Sequence, residues 1–192
     1  MSGTYPASPE FASLNITSRH NNVRTETRSG RVQVRSIGAQ RWELTAQYRL
    51  MTRAQMQPIM AFIMAQQGSL ETFQIQLPLH DDALGSVSGT VRANGSHSIG
   101  DSTINIDGIT GTLKAGDFIK FANHSKVYMV TADRSGSGVM NIQPALLEAV
   151  PDNTVVTYDN VQFTVRLAND VQEIRARGYE QYTYEVDLIE VI

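Results

Sequence analysis

The sequence predicts a mainly β protein: a β-sandwich with one packed α-helix, and a small β-barrel inserted into it. Three observations carry this reading. A strand, a helix and a second strand follow one another from Arg41 to Pro78. Short apolar runs separated by glycine-rich turns, at roughly ten-residue spacing, fill residues 85–156. Strong alternation then returns at the C-terminus, in a segment that needs a pairing partner.

In chain order, Met1–Glu10, with Pro6 and Pro9, reads as an arm that orders on contact. Phe11, Leu14 and Ile16 predict a short first strand, and the polar run Thr17–Asn22 reads as a loop by composition. Residues 23–27 and 31–36 flank Arg28-Ser29-Gly30 as a hairpin, with Val32 and Val34 facing in and Arg31, Gln33 and Arg35 facing out. Ile37–Ala39 turns the chain into a strand starting at Arg41, where Trp42, Leu44, Ala46, Tyr48 and Leu50 alternate with polar residues. Thr52 is a good N-cap for a helix over Arg53–Gln67, in which Met56, Ile59, Met60, Ile63 and Met64 form an apolar stripe. Gly68 is its stop signal, and Pro58 predicts a kink or a late start. Phe73–Pro78 alternates again and ends at an edge. The expected inward residues of this unit are Trp42, Leu44, Tyr48, Met60, Ile63 and Phe73.

In the middle block, residues 88–91, 102–106, 118–121, 127–131, 139–142 and 155–158 read as strands, and Pro144–Ala149 as a single helical turn. Val161–Leu167 and Tyr179–Ile192 resume the alternation. An open apolar C-terminal strand would aggregate, so its natural partners are the strands of residues 31–50. Residues 84–156 therefore read as a domain inserted into one built from residues 1–83 and 157–192.

A chain of 192 residues buries one good core or two small ones. No apolar window is long enough for a membrane span, and the N-terminus lacks the charged and apolar regions of a signal peptide. The absence of cysteine excludes disulfide scaffolds and thiolate zinc sites. The net charge of −3 is unevenly spread: +4 over residues 1–80, −3 over residues 81–157 and −4 over residues 158–192. Exposed strand faces carry such charge by chance, or a basic flank of one copy docks on an acidic flank of another. Nucleic-acid binding is disfavoured, because the arginines are interleaved with acids and no basic helix accompanies them.

The catalytic motifs fail on spacing. His20, His80, His97 and His124 fall on separate predicted loops, and His80-Asp81-Asp82 points its neighbours to opposite sides of an extended chain, so a solvated junction is the default there. Around Asn105-Ile106-Asp107-Gly108, the calcium-ligand positions fall on Thr103 and Lys114. Gly111-Thr-Leu-Lys-Ala-Gly116 has the glycine spacing of a phosphate loop but runs into Asp117-Phe118, and an acid there repels phosphate. No catalytic, cofactor-binding or metal residue is predicted, and the chain reads as a non-enzyme with no cofactor. Met51, Met56, Met60 and Met64 read as core rather than as an adaptable binding face, and Trp42 as a core anchor rather than a sugar platform.

The order of these elements resembles a family. Arg41-Trp-Glu-Leu, Met51-Thr-Arg-Ala-Gln, Ala61-Phe-Ile, Gln67-Gly68 and Phe73…Leu77-Pro78 are similar to distal tail (Dit-like) and tail-tip proteins of tailed bacteriophages. Val87-Ser-Gly-Thr-Val91, Leu113-Lys-Ala-Gly-Asp117-Phe-Ile, Val127-Tyr-Met-Val130 and Ile142-Gln-Pro-Ala-Leu146 resemble the inserted, OB-like β-domain that many of them carry. The resemblance covers residues 40–158. It implies a structural virion protein of the tail tip or baseplate, assembled in the host cytoplasm. Its sandwich domain would close into a ring, usually a hexamer, between the tail tube protein and the hub or tip proteins. For ring closure, the expected subunit interface sets Arg31, Arg35, Arg41 and Arg49 against Glu185, Asp187 and Glu190 of a neighbour. The alternative is a host-receptor or carbohydrate-binding module, with His124, Tyr128 and Arg134 as the surface-binding loop and a host glycan as partner.

Overall fold

The structure is a computed structural model and describes residues 3–78, 80–178 and 181–192. Met1 and Ser2 of the expected N-terminal arm, Leu79, and Tyr179–Glu180 at the start of the expected last strand lie outside the described residues. The chain is mainly β with one helix. Its first part comprises β1 (Phe11–Glu26), β2 (Val32–Tyr48), α1 (Arg53–Ala65) and β3 (Phe73–Gln76). The middle carries β4 (Arg92–Ala93), β5 (Thr103–Asp107), β6 (Thr112–Leu113), β7 (Phe118–Phe121), β8 (Val127–Val130), β9 (Arg134–Ser135), β10 (Gly138–Gln143) and β11 (Val156–Thr157). The last part has β12 (Gln162–Leu167), β13 (Ile174–Arg177) and β14 (Gln181–Glu190).

The two ends of the chain share one sheet, in the order β1-β2-β14-β12-β3, with β13 pairing β14. The C-terminal strand finds the partner its alternation required: β14 lies antiparallel to β2, with Val186 opposite Ala46 and Leu188 opposite Leu44. The inward parities of both strands agree, so Trp42, Leu44, Ala46, Tyr48, Tyr184, Val186 and Leu188 are all buried. Helix α1 starts at Arg53 under a capping box between Thr52 and Gln55, and carries Pro58 in its interior. It buries Met56, Ile59 and Ile63 against this sheet. Met60 was expected inside, but it is 44% exposed, as is Met64 at 65%. The stripe is narrower than the sequence suggested, because one sheet covers only one side of the helix.

The middle strands form a second sheet, β11-β7-β8-β10-β5-β4, whose two end strands meet through the Arg92–Val155 bridge and the Val156 N–H to Val91 C=O bond (2.9 Å). It is a nearly closed barrel around Ile104, Ile106, Phe121, Tyr128, Met140 and Val156. The glycine spacing that mimics a phosphate loop has a packing cause. At Gly111 (φ 84°) an added Cβ would lie 2.1 Å from the Ser86 carbonyl oxygen, so backbone sits where a side chain would go. Asp117 closes the same turn, accepting the N–H groups of Lys114 (2.7 Å) and Leu84 (2.9 Å). Residues 144–149 form bends rather than the expected helical turn; Leu146 is pinned by backbone bonds to Asp101 and Gly100 instead.

Candidate functional site

The described residues offer two features beyond a packed core: a bare arm and a buried joint. The arm is the far part of the β1–β2 hairpin. The sequence suggested a strand over residues 11–16, a loop at 17–22 and a separate hairpin; instead β1 runs unbroken to Glu26 and pairs with β2 down to Val32. Every residue from Thr17 to Ala39 is exposed. Val32 and Val34, expected to face in, are 44% and 62% exposed, because no layer covers either face of this ribbon. Residues 19–27 at about 3.3 Å each carry the tip roughly 25 Å from its root. Five arginines and one glutamate lie along residues 17–39, so the arm is basic. A bulge sets its direction: the register shifts between Arg19 and Asn22 opposite Gly38 (φ 83°) and Ala39 (φ 54°). The segment Ile37–Ala39, read as a turn, is this bulge.

The joint lies at the arm's root, where the barrel meets the sheet. Trp42 of β2 packs edge-on against Phe118 of β7 (centroids 5.2 Å apart), and its Nε1–H donates to the Val127 carbonyl at 2.9 Å. Phe118 in turn packs against Phe163 of β12. Beneath them Lys126 Nζ contacts the Glu190 carboxylate, both side chains at most 1% exposed. Glu190 also accepts the N–H groups of Trp42 (3.1 Å) and Val127 (2.9 Å). Burial pushes the Glu190 carboxyl up and the Lys126 ammonium down, and each partner's charge opposes the other's shift.

The predicted interface residues separate into two groups. Arg31, Arg35, Arg41 and Arg49 are exposed, and among the described residues none makes an ion pair within the chain. Glu185 and Asp187 are also exposed and accept bonds from Gln47 (3.0 Å) and Thr45 (2.7 Å) of β2. With Glu173 and Arg175, which pair with each other at 3.0 Å, they line an open cleft of about 410 Å³. Glu190 does not belong with them, because it points inward into the joint. The signal was present in the alternation: Tyr184, Val186, Leu188 and Glu190 share one parity, as do Gln40, Trp42 and Leu44, and Lys126, Tyr128 and Val130. Glu190, Gln40 and Lys126 were each one step further along an inward row.

The expected surface-binding loop is not assembled either. Tyr128 is fully buried, its hydroxyl bonded to His124 Nε2 (2.9 Å) and to the Leu147 N–H (3.3 Å). Arg134 folds onto its own hairpin, donating to the carbonyls of Gly136 and Ser137. At the chain's entry to the barrel, Asp81 accepts from Gln76 and Asp82 from the Asn160 N–H, so these acids brace the crossing strands. Among the described residues, no three metal-ligating side chains are gathered, and no helix is long and apolar enough to cross a membrane.

A sheet built from both chain ends, a barrel between them and an uncovered ribbon describe an assembly protein, with its distinctive chemistry on surfaces rather than in a pocket. The comparisons agree with that class. Residues 82–161, which contain every strand of the barrel, match the family model described as distal tail protein pb9, B domain. The chain is also 25% identical over 167 residues to distal tail protein pb9 of Escherichia phage T5, a match covering 83% of this chain and 80% of that one. Both likenesses are to phage distal tail proteins, the kind of protein that the order of the motifs resembles.

Proposed function

We propose that the chain is one subunit of a ring at the tail tip that joins the tail tube protein to the hub or tip proteins. In this reading residues 1–83 and 157–192 form the ring, usually of six copies, and residues 84–156 project from it as an accessory barrel. The observation that carries the proposal is the arm. An isolated two-stranded hairpin is at best marginally stable in water, yet this one keeps 23 consecutive residues exposed and shows Val34, Val23 and Ile37 to solvent. Such a ribbon gains its missing layer from a second copy.

The seat on that copy is the cleft in which Glu173, Glu185 and Asp187 outnumber Arg175; it is opposite in charge to the arm's arginines and is lined from residues 47–48, 169–175 and 183–187 rather than from the arm. Two different flanks meeting is the heterologous contact that generates rings. Electron microscopy and mass measurement on the purified chain test this. The double reversal Glu185→Arg with Asp187→Arg is expected to disperse the rings, and adding Arg31→Glu with Arg35→Glu to restore them. A wild-type chain that stays monomeric at every concentration, or rings indifferent to the reversal, would overturn the reading.

A further inference from the structure

Three distant stretches of chain meet at the buried joint, and the arm's root is one of them. Gln40 is the first buried residue of β2 after the arm. Its Nε2 donates to Ser18 Oγ on β1 (2.8 Å), and its Oε1 accepts from Lys126 Nζ, just before β8 (2.8 Å). Lys126 in turn holds Glu190 at the end of β14, whose carboxylate takes the N–H groups of Trp42 and Val127. The bulge that aims the arm, Gly38–Ala39, directly precedes Gln40. On the neighbouring face a cleft of about 580 Å³ runs between the sheet, at Ile16 and Trp42, and the barrel, at Met129 and Pro144. The barrel therefore has room to tilt beside the point where it is fastened.

An apolar joint would hold two layers together at less cost, since a buried ion pair is no better for stability than well-packed hydrophobic residues. What the polar joint adds is geometry. Lys126 Nζ has two fixed acceptors, Gln40 Oε1 and the Glu190 carboxylate, and a partial opening strands a charge, so intermediate angles are disfavoured. We propose that Lys126, Glu190 and Gln40 form an orientation lock, which sets the angle between the barrel and the arm's root and transmits displacement of one to the other. The lock lies within one subunit and stands whether or not the chain closes into a ring.

The natural absence of cysteine makes the test direct. Nitroxide labels on Thr17→Cys, on the outer face of the arm's root, and on Val139→Cys, on the exposed side of β10, report the angle as a distance distribution by double electron–electron resonance. The unmodified joint is expected to give one narrow distribution. Glu190→Gln and the charge-free pair Lys126→Met with Glu190→Leu are both expected to broaden it and shift its mean, while the melting transition remains cooperative. Lys114→Ala, which breaks the exposed Lys114–Asp133 pair of the barrel, is expected to leave the distribution unchanged. Hydrogen exchange supplies a second readout: the Trp42 and Val127 amides lose protection in the lock variants, and those of Ile104 and Met140 keep it. Unchanged distributions in both lock variants, equal broadening in Lys114→Ala, or failure of both lock variants to fold would each overturn the proposal.

Discussion

The same two strands, β1 and β2, behave differently along their length. Near the sheet, Trp42, Leu44, Ala46 and Tyr48 alternate with half-buried or exposed neighbours and are themselves at most 6% exposed. Beyond the bulge at Gly38–Ala39, the pairing continues to the tip with nothing on either face. The hydrogen-bond ladder is common to both halves, so the difference comes from what covers them. At the root the cover is supplied by the chain's own helix and barrel; along the arm the chain supplies none. Sequence alternation follows the cover, which explains why the root reads as a strand and the arm reads as loops.

Perturbations at the root should be felt in stability, and those on the arm in assembly. The largest effect is expected at the joint: Glu190→Ala leaves Lys126 buried without its counter-charge and should cost about 3–5 kcal/mol in denaturant unfolding. Cutting the exposed pair of Lys114 and Asp133 with Lys114→Ala should leave the unfolding midpoint in the same assay almost unchanged. Leu44→Ala empties a site in the sheet's core and should cost about 2–5 kcal/mol. Val34→Ala on the arm should stay within about 0.5 kcal/mol for the isolated subunit. Thr164, buried in β12, has the one buried side-chain oxygen without a hydrogen-bond partner among the described residues. Thr164→Val should therefore raise stability by about 1 kcal/mol, seen as a higher melting temperature.

The smallest effect is a pH dependence. Burial lowers the His124 pKa below its ordinary value; Glu148 opposes the shift and Lys120 adds to it. A lowered folded-state pKa favours the neutral ring, so its contribution is full above the unfolded value of about 6.5 and is lost as pH falls through the folded value. Acidification in that window should lower the barrel's melting temperature, and His124→Phe should flatten the slope. A slope unchanged in His124→Phe would remove His124 as its source.

Much of the sheet and barrel was legible because buried faces impose a period on the sequence. The strands at 103–107, 138–143 and 162–167 show it in their sequence, while 118–121 and 127–130 stand out as short apolar runs instead. Where no face is buried the period disappears, and residues 17–22 passed for a loop. Strand β13, Ile174–Arg177, was missed for the same reason: it is short, half of it is arginine, and it pairs only with β14. Met60 misled in the opposite direction, since an apolar residue on a helix does not reveal how wide a surface covers it. At the joint, Glu190 was grouped with Glu185 and Asp187 by charge, although its position in the alternation assigned it to the interior. Arg31, Arg35, Glu185 and Asp187 were legible as charges, but that the two arginines sit on a bare ribbon and the two acids beside Glu173 required the fold.

The claim that the arm is half of an intersubunit contact is tested most directly by removing it. Replacing residues 21–39 by a short turn between Arg19-His20 and Gln40-Arg41 keeps the root, the joint and the barrel. Light scattering on this variant should give the mass of a single folded subunit, with a cooperative melt, where the intact chain gives a ring. A shortened chain that still assembles to the same mass as the intact one would contradict the account.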